Sequence, residues 1–201
     1  MFLTLLFFLF FFKNAIAEQD IQINGTYLAK PIPINNFYLT DQYGKPFKRE
    51  NLKGHWSMMF FGFTQCGYVC PVTLNELNHM YHDLKKTLSN KDLPTIIFVT
   101  VDPERDSVTE MRKYMKSFDN HFIGAQAGLM ETEKLEHQLH ITAVKIREKD
   151  QPKDDYTMNH SVEILLFNPE AELQAYLAYP HKAKQLEKEY QLIRDVYNQK
   201  R

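Results

Sequence analysis

"FFGFTQCGYVCP", residues 60–71, joins a run of apolar residues to the only two cysteines of the chain. The longer apolar run WSMMFFGF, residues 56–63, predicts a strand that is buried on both faces of a sheet. Pro71 suits the first turn of a helix, and leucines at helical spacing follow it. We therefore expect Cys66 and Cys70 at a junction between a buried strand and a helix.

Strand-like and helix-like segments alternate along the rest of the chain. This alternation predicts one α/β domain with a central mixed sheet flanked by helices, which begins with an N-terminal β-hairpin over residues 36–47. Further strands are expected at 95–101, at the short segment HFIGA, at 143–148 and twice within 161–179, and helices within 107–118, 131–141 and 181–199.

The N-terminal segment differs from the rest in composition. Residues 2–12 are almost wholly apolar, and a small-residue Ala-x-Ala pattern follows them. Eleven helical residues span about 17 Å, which is short of the ~30 Å hydrocarbon core of a membrane. We interpret residues 1–17 as a cleaved signal peptide. Because no Lys or Arg precedes the apolar run, an uncleaved short membrane anchor is the alternative.

The domain organisation follows from this interpretation. Residues 18–35, which include "PIP", are expected to form an extended and poorly packed leader, and residues 36–201 the folded domain. The predicted location is the periplasm, with the protein either soluble or anchored to the inner membrane by its N-terminal segment. Apolar residues make up 44% of the chain and the formal net charge is −1, so nucleic acid is not an expected partner.

Two cysteines four positions apart could form a structural disulfide, act as a redox pair or bind a metal ion. A structural disulfide that closes so short a loop stabilises the fold little, because its entropic benefit grows with loop length. A thiolate at a helix N-terminus is stabilised and its pKa falls, which suits redox chemistry. Two thiolates are also soft ligands that suit Cu(I) or zinc. The spacing C-x-x-x-C is compatible with both the redox role and the metal-binding role.

A metal site would need a further ligand, and the chain has eight histidines. Those on predicted helices are expected to be surface residues. His160 differs, because it follows a polar loop and directly precedes a buried strand, where α/β folds often build sites. Position alone leaves its role open.

Three blocks resemble the signature blocks of the Sco/SenC family, a family of copper proteins with a thioredoxin fold that is tied to cytochrome c oxidase assembly. The blocks are FFGFTQCGYVCPVTL, FVTVDPERDS and DYTMNHSVEILLFNP, in the family's order and spacing, and the likeness extends over about residues 36–195. The third block has Asn159 where the family often has Asp.

The resemblance implies a thioredoxin-like fold and a function. It places the metal ligands on Cys66, Cys70 and His160, with one copper ion per chain, as Cu(I) and alternatively Cu(II). The implied function is a copper chaperone that delivers copper to the binuclear copper site of cytochrome c oxidase. The expected partners are the copper-bearing oxidase subunit and, further, other copper chaperones or thioredoxin-like reductants.

A second hypothesis keeps the same two residues in a different role. Cys66 and Cys70 would then be the catalytic pair of a thiol–disulfide oxidoreductase that keeps the copper-site cysteines of the oxidase reduced. A zinc site with two Cys and one His is chemically possible. A peroxidase of the peroxiredoxin type fits TQCGYVCP poorly.

The segment VDPERDS, residues 101–107, holds acidic residues with two possible roles. Asp102 and Asp106 follow a strand that should run parallel to the cysteine-bearing strand, which would place Asp102 near the same sheet edge. They either support the site or dock a partner, or they cap the next helix and pair internally.

Overall fold

A computed structural model describes residues 21–152 and 155–200, and these contain ten strands, four α-helices and two short 3-10 helices. The strands are β1 (Gly25–Pro33), β2 (Tyr38–Asp41), β3 (Pro46–Lys48), β4 (Ser57–Gly62), β5 (Thr95–Thr100), β6 (Ile123–Gln126), β7 (Ala143–Ile146), β8 (Thr157–His160), β9 (Ile164–Phe167) and β10 (Glu172–Leu177). The helices are α1 (Val69–Thr87), α2 (Val108–Met115), α3 (Leu129–Gln138) and α4 (Ala183–Gln199).

Eight of these strands form one mixed sheet in the order β1-β10-β9-β4-β5-β6-β2-β3, and β7 pairs with β8 in a separate hairpin. β4, β5 and β6 are parallel to one another, whereas β9 runs antiparallel to β4. β2 and β3 form the predicted antiparallel hairpin. The expected central mixed sheet and its early hairpin are therefore confirmed.

The centre of the sheet is its most buried part. Every residue of β4 and of β9 is buried, and so is all of β5 except its first residue. A strand covered on both faces needs apolar side chains in both directions, which explains why apolar residues predominate at 56–63 and 95–101. The aromatic residues of the first run, Phe60, Phe61 and Phe63, are core residues.

The helices lie against this sheet and against each other. α1 buries Leu74, Leu77 and Leu84 and packs on α4. α2 packs on β6, where Gly124 leaves room for two methionines; a Cβ there would lie 2.6 Å from Cγ of Met115. None of the helices within the described residues combines the length and the hydropathy needed to cross a membrane.

The N-terminal predictions have a mixed outcome. The segment interpreted as a signal peptide, residues 1–17, lies outside the described residues. The prediction that the leader is poorly packed was wrong for residues 25–33, because β1 pairs antiparallel with β10 and forms one edge of the sheet. This strand is held by backbone pairing rather than by a buried face, since none of its side chains is fully buried.

The sheet register brings two loops to one edge. In the parallel pair of β4 and β5, Gly62 lies opposite Thr100, so the two strands end side by side. The cysteine loop follows Gly62, and the segment VDPERDS begins directly after Thr100. The hairpin of β7 and β8 adds His160, the last residue of β8.

Candidate metal centre

The two cysteines lie at the predicted strand-to-helix junction. Cys66 belongs to the loop after β4 and is half-buried, whereas Cys70 lies in the first turn of α1 and is fully buried. Both thiols are free. Tyr68, between them, keeps 68% of its surface exposed, so the loop opens to solvent on that side.

The N-terminus of α1 is directed at Cys66. The backbone N–H of Cys70 donates to Sγ of Cys66 over 3.4 Å. An N–H in the first turn of a helix has no partner within the helix and carries part of its positive dipole. The Cys66 sulfur therefore satisfies a free donor of the helix, and the helix favours its thiolate form.

The pKa values of the two thiols are shifted in opposite directions. Hydrogen bonding from the Cys70 side chain, assisted by His160 and by the backbone N–H of Cys70, lowers the pKa of Cys66 well below its usual value. The same hydrogen bond with Cys66, together with burial, raises the pKa of Cys70. Cys66 is thus the readily ionised and accessible sulfur of the pair.

His160 faces this pair from the other side. Its Nε2 lies 3.8 Å from Sγ of Cys70, and its Nδ1 lies 2.7 Å from the carbonyl oxygen of Ser161. Because a carbonyl only accepts, Nδ1 carries a proton and donates it, so Nε2 is the ring nitrogen that can turn a lone pair toward a metal on the cysteine side. The ring of Phe63 packs at right angles to the imidazole, with 5.8 Å between ring centres.

Gly62 lets Cys70 approach the end of β4. A Cβ at this position would lie 2.7 Å from Sγ of Cys70 and 2.6 Å from Cε2 of Phe98. Both separations are shorter than any real side chain tolerates. The absence of a side chain at residue 62 is therefore a condition for the observed position of the buried sulfur.

Asp106 fastens the cysteine loop to the neighbouring strand. Its fully buried carboxylate accepts the backbone N–H of Thr64 at 2.9 Å, the Thr64 hydroxyl at 2.5 Å and the Thr100 hydroxyl at 2.6 Å. Thr64 lies two residues before Cys66. Beyond the end of β4 the loop has no neighbouring strand to pair with among the described residues, and the Asp106 carboxylate supplies hydrogen bonds to Thr64 instead.

Asp102 and Arg105 connect the same edge to the chain before β8. Arg105 donates from Nε to Oδ2 of Asp102 at 2.5 Å and from an Nη atom to the Tyr156 carbonyl at 2.9 Å. The Tyr156 hydroxyl donates to Oδ1 of Asp102 at 2.7 Å, and the guanidinium lies 3.6 Å from the centre of the Tyr156 ring. Asp102 is only 2% exposed and its carboxylate is paired internally, which was one of the two roles expected for it.

Comparisons with known proteins identify the group to which this chain belongs. A family model described as SCO1/SenC matches residues 27–193, which is most of the chain. The chain belongs to the SCO1/SenC family. The resemblance found in the three sequence blocks is thereby confirmed.

Among the SCO1/SenC relatives, the mitochondrial protein SCO2 homolog of Danio rerio is 35% identical over 160 residues. The match covers 76% of this chain but 54% of the relative, so the chain spans about half the length of that protein.

Solved structures of SCO1/SenC relatives have the same fold. Bradyrhizobium japonicum ScoI with copper bound is 32% identical, with a TM-score of 0.69 over 80% of this chain and 97% of that one. Arabidopsis thaliana ScoI with copper bound is 26% identical, with a TM-score of 0.71 over 82% and 98%. The predicted thioredoxin-like fold is thus confirmed.

The donor atoms fit a soft first-row metal ion. A trigonal ion with bonds of ~2.3 Å to sulfur and ~2.0 Å to nitrogen would hold these two atoms about 3.7 Å apart. Cys70 Sγ and His160 Nε2 are 3.8 Å apart. Within residues 21–152 and 155–200 no three His, Cys, Asp or Glu side chains already form a closed cluster for a metal.

Several residues around the SCO1/SenC site were not found from the sequence. Thr64 and Tyr156 are single residues in loops, and their partners Asp106 and Asp102 lie 42 and 54 positions away. No local pattern marks such pairs. The strand-end position of Gly62 was the one available signal, because glycine inside a buried strand often marks a close approach.

Proposed function

We propose that this chain is a copper chaperone that carries one copper ion on Cys66, Cys70 and His160. The observation that carries the proposal is the contact of 3.8 Å between Sγ of Cys70 and Nε2 of His160, beside a second thiol that favours its ionised form. Two thiolates and a neutral imidazole are soft to intermediate ligands, which favours copper as Cu(I); Cu(II) is the alternative oxidation state.

Membership of the SCO1/SenC family and the copper-bound state of two similar structures support copper as the cargo. The target we propose is the binuclear copper site of the copper-bearing subunit of cytochrome c oxidase, as the family resemblance implies. Other copper chaperones would be the source of the ion. The transfer would take place in the periplasm, with residues 1–17 as signal peptide or short anchor.

The accessibility of the site supports transfer rather than storage. A chaperone has to let an incoming ligand displace its own ligands one at a time. Cys66 is half-buried beside the exposed Tyr68, whereas Cys70 is enclosed. Copper would therefore be reached first from the Cys66 side, and Cys70 and His160 would hold it until the exchange is complete.

A competition titration tests this proposal. The reduced chain is titrated with Cu(I) against a chelator of known affinity, beside His160→Ala and the control His79→Ala, which removes an exposed histidine of α1. We expect one ion per chain, with an affinity at least about tenfold lower in His160→Ala, since even the partners of metal ligands contribute that much. Equal affinities in the three proteins would refute the assignment of His160, and preference for Zn(II) would refute copper.

The asymmetry of the two thiols also favours a second function, thiol–disulfide exchange. The Cys66 thiolate would attack a disulfide of the oxidase copper site and form a mixed disulfide, which releases one thiolate of the target. Cys70, after losing its proton, would attack the Cys66 sulfur and release the second. The target is then reduced and the chain holds a Cys66–Cys70 disulfide, which a thioredoxin-like reductant must reduce. This exchange should survive His160→Ala.

A further inference from the structure

A cavity of about 210 Å³ lies behind the strand that carries His160. Its walls come from α3, from the β7–β8 hairpin and from the loop after β5. Two residues tie it to the metal centre: Ala143 pairs with His160 across the hairpin, and Met158 precedes His160 by two positions on the same strand. The cavity is nevertheless separate from the cysteines, none of which lines it.

Two side chains of α3 bring unpaired polar atoms to this cavity. Glu136 is 8% exposed and Thr132 is 1% exposed, and both line the cavity. Among the described residues, neither Oε1 of Glu136 nor the Thr132 hydroxyl has a hydrogen-bond partner. They are four positions apart and so lie on one face of the helix. Buried polar atoms without partners are costly, which indicates a place for a ligand group.

The charges around the cavity favour a cationic ligand. Glu133 and Glu104 also line it, and the one lysine in its wall is already engaged. Lys145 Nζ lies 2.5 Å from a carboxylate oxygen of Glu104 and 4.1 Å from the centre of the Tyr156 ring. Among the described residues no lysine or arginine forms an ion pair with Glu136, and His160 acts on its carboxyl group through its charge without a hydrogen bond to Oε1.

The remaining walls are apolar, which narrows the class of cation. Leu129, Ala143, Val101 and Met158 form the non-polar part of the lining. A hard metal ion without bound water needs several carboxylate ligands. Among the described residues, no three His, Cys, Asp or Glu side chains are arranged to hold a metal ion. An alkyl chain that ends in an ammonium fits both parts, because its carbons contact the apolar walls and its N–H groups reach the unpaired oxygens.

We propose that this cavity binds a primary alkylammonium group, with Oε1 of Glu136 and the Thr132 hydroxyl as its acceptors. The chemistry is that of a lysine side chain presented by another protein or of a free aliphatic amine. The proposal does not rest on the copper function, because binding requires neither the cysteines nor a metal.

An NMR titration of the full-length, copper-free chain with n-butylammonium chloride at about pH 8, where the Glu136 carboxyl group is ionised, tests this proposal. We expect saturable shifts at the Thr132 amide and at the methyl groups of Ala143 and Met158. The neutral isostere n-butanol and magnesium chloride of equal ionic strength should not produce them. Glu136→Gln should weaken binding about tenfold, as expected for loss of a charge-assisted hydrogen bond. The control Glu110→Gln removes an exposed carboxylate of α2 and should leave binding unchanged.

Thr132→Val provides a second variant, since it keeps the shape of the side chain and removes only the hydroxyl; it should also weaken binding. A capped tripeptide with a central lysine separates the two sources: binding of the peptide indicates a protein side chain, and binding of butylammonium alone a free amine.

Shifts of equal size with n-butanol or magnesium, equal affinity in Glu136→Gln, or no saturable shift with butylammonium would each overturn the proposal. Each of these results would leave the copper assignment untouched.

Discussion

Nε2 of His160 lies 3.8 Å from Sγ of Cys70, although the two residues are 90 positions apart in the chain. Different parts of the fold deliver them, one from the first turn of α1 and the other from the end of β8. The geometry of the site therefore depends on the residues that hold these parts together.

Gly62→Ala should displace the buried sulfur. The new Cβ would collide with Sγ of Cys70 and with the Phe98 ring, and such overpacking costs about 1–3 kcal/mol of unfolding free energy. Urea unfolding measures the loss, and the Cu(I) competition titration should show a weaker site. Gly67→Ala is the matched control, because a Cβ at that position of the cysteine loop meets nothing within 4 Å. Equal stability of the two variants would contradict the account.

Arg105→Lys should weaken copper binding without changing the thiols. Lysine keeps the charge but loses the forked contact with Asp102 and the Tyr156 carbonyl, so the chain before His160 is held less firmly. We expect an affinity for Cu(I) on the order of tenfold lower, and an unchanged rate of Cys66 alkylation.

Arg112→Lys is the matched control for this prediction. Arg112 donates to the Gln42 carbonyl at 2.8 Å and lies 5.8 Å from the centre of the Tyr43 ring, in contacts that involve neither cysteine. If both arginine variants bind Cu(I) equally well, Arg105 has no positioning role.

Alkylation by iodoacetamide should distinguish the two cysteines. Because the pKa of Cys66 is lowered, its thiolate is already formed, and its rate should change little between about pH 6 and about pH 8, where an ordinary thiol of pKa ~8.5 reacts faster as the pH rises. Cys70 is buried and its pKa is raised, so it should react slowly at each pH. Peptide mass spectrometry measures the two rates. A Cys66 rate that rises tenfold per pH unit would refute this assignment.

Glu136 should make the stability of the protein depend on pH. Burial raises the pKa of its carboxyl from 4.5 to about 7, so the folded state holds a proton that the unfolded state has already lost. The associated stability is present below about pH 4.5 and lost as the pH rises through about 7, by at most about 3 kcal/mol at 1.36 kcal/mol per pKa unit. Glu136→Gln should therefore be more stable than the parent chain at about pH 8 and similar at about pH 4.5.

Urea unfolding at the two pH values measures this difference, with Glu110→Gln as the exposed control. A stability gain of Glu136→Gln that is the same at both pH values would show that the carboxyl does not titrate differently on folding. The variant would then differ only through packing or hydrogen bonding, which do not follow the charge of the side chain.

The central elements of the fold could be predicted because their patterns are local. Runs such as 56–63 and 95–101 are predominantly apolar, and α1 repeats its leucines at helical spacing. β1 and β8 have no such pattern, because their side chains are exposed or half-buried. β1 pairs with the distant strand β10, whereas β8 pairs with the preceding strand β7. Backbone pairing of this kind leaves little trace in composition, so the leader was wrongly expected to pack poorly.

The site was predictable to a different degree for each residue. Cys66 and Cys70 stand out by their number and spacing, whereas His160 is one of eight histidines, was marked only by its position before a buried strand, and was assigned as a ligand by the family resemblance. The unpaired oxygens of Glu136 and Thr132 had no signal in the sequence, because burial and the lack of a partner are properties of the folded chain.

X-ray absorption spectra of the chain loaded with one equivalent of Cu(I), recorded for the parent and for His160→Ala, show whether Cys66, Cys70 and His160 hold the metal. We predict two sulfur neighbours at about 2.3 Å and one imidazole nitrogen at about 2.0 Å, and loss of the imidazole signal in His160→Ala. A spectrum without imidazole scattering, or one that is identical in the two proteins, would contradict the Cys66–Cys70–His160 site.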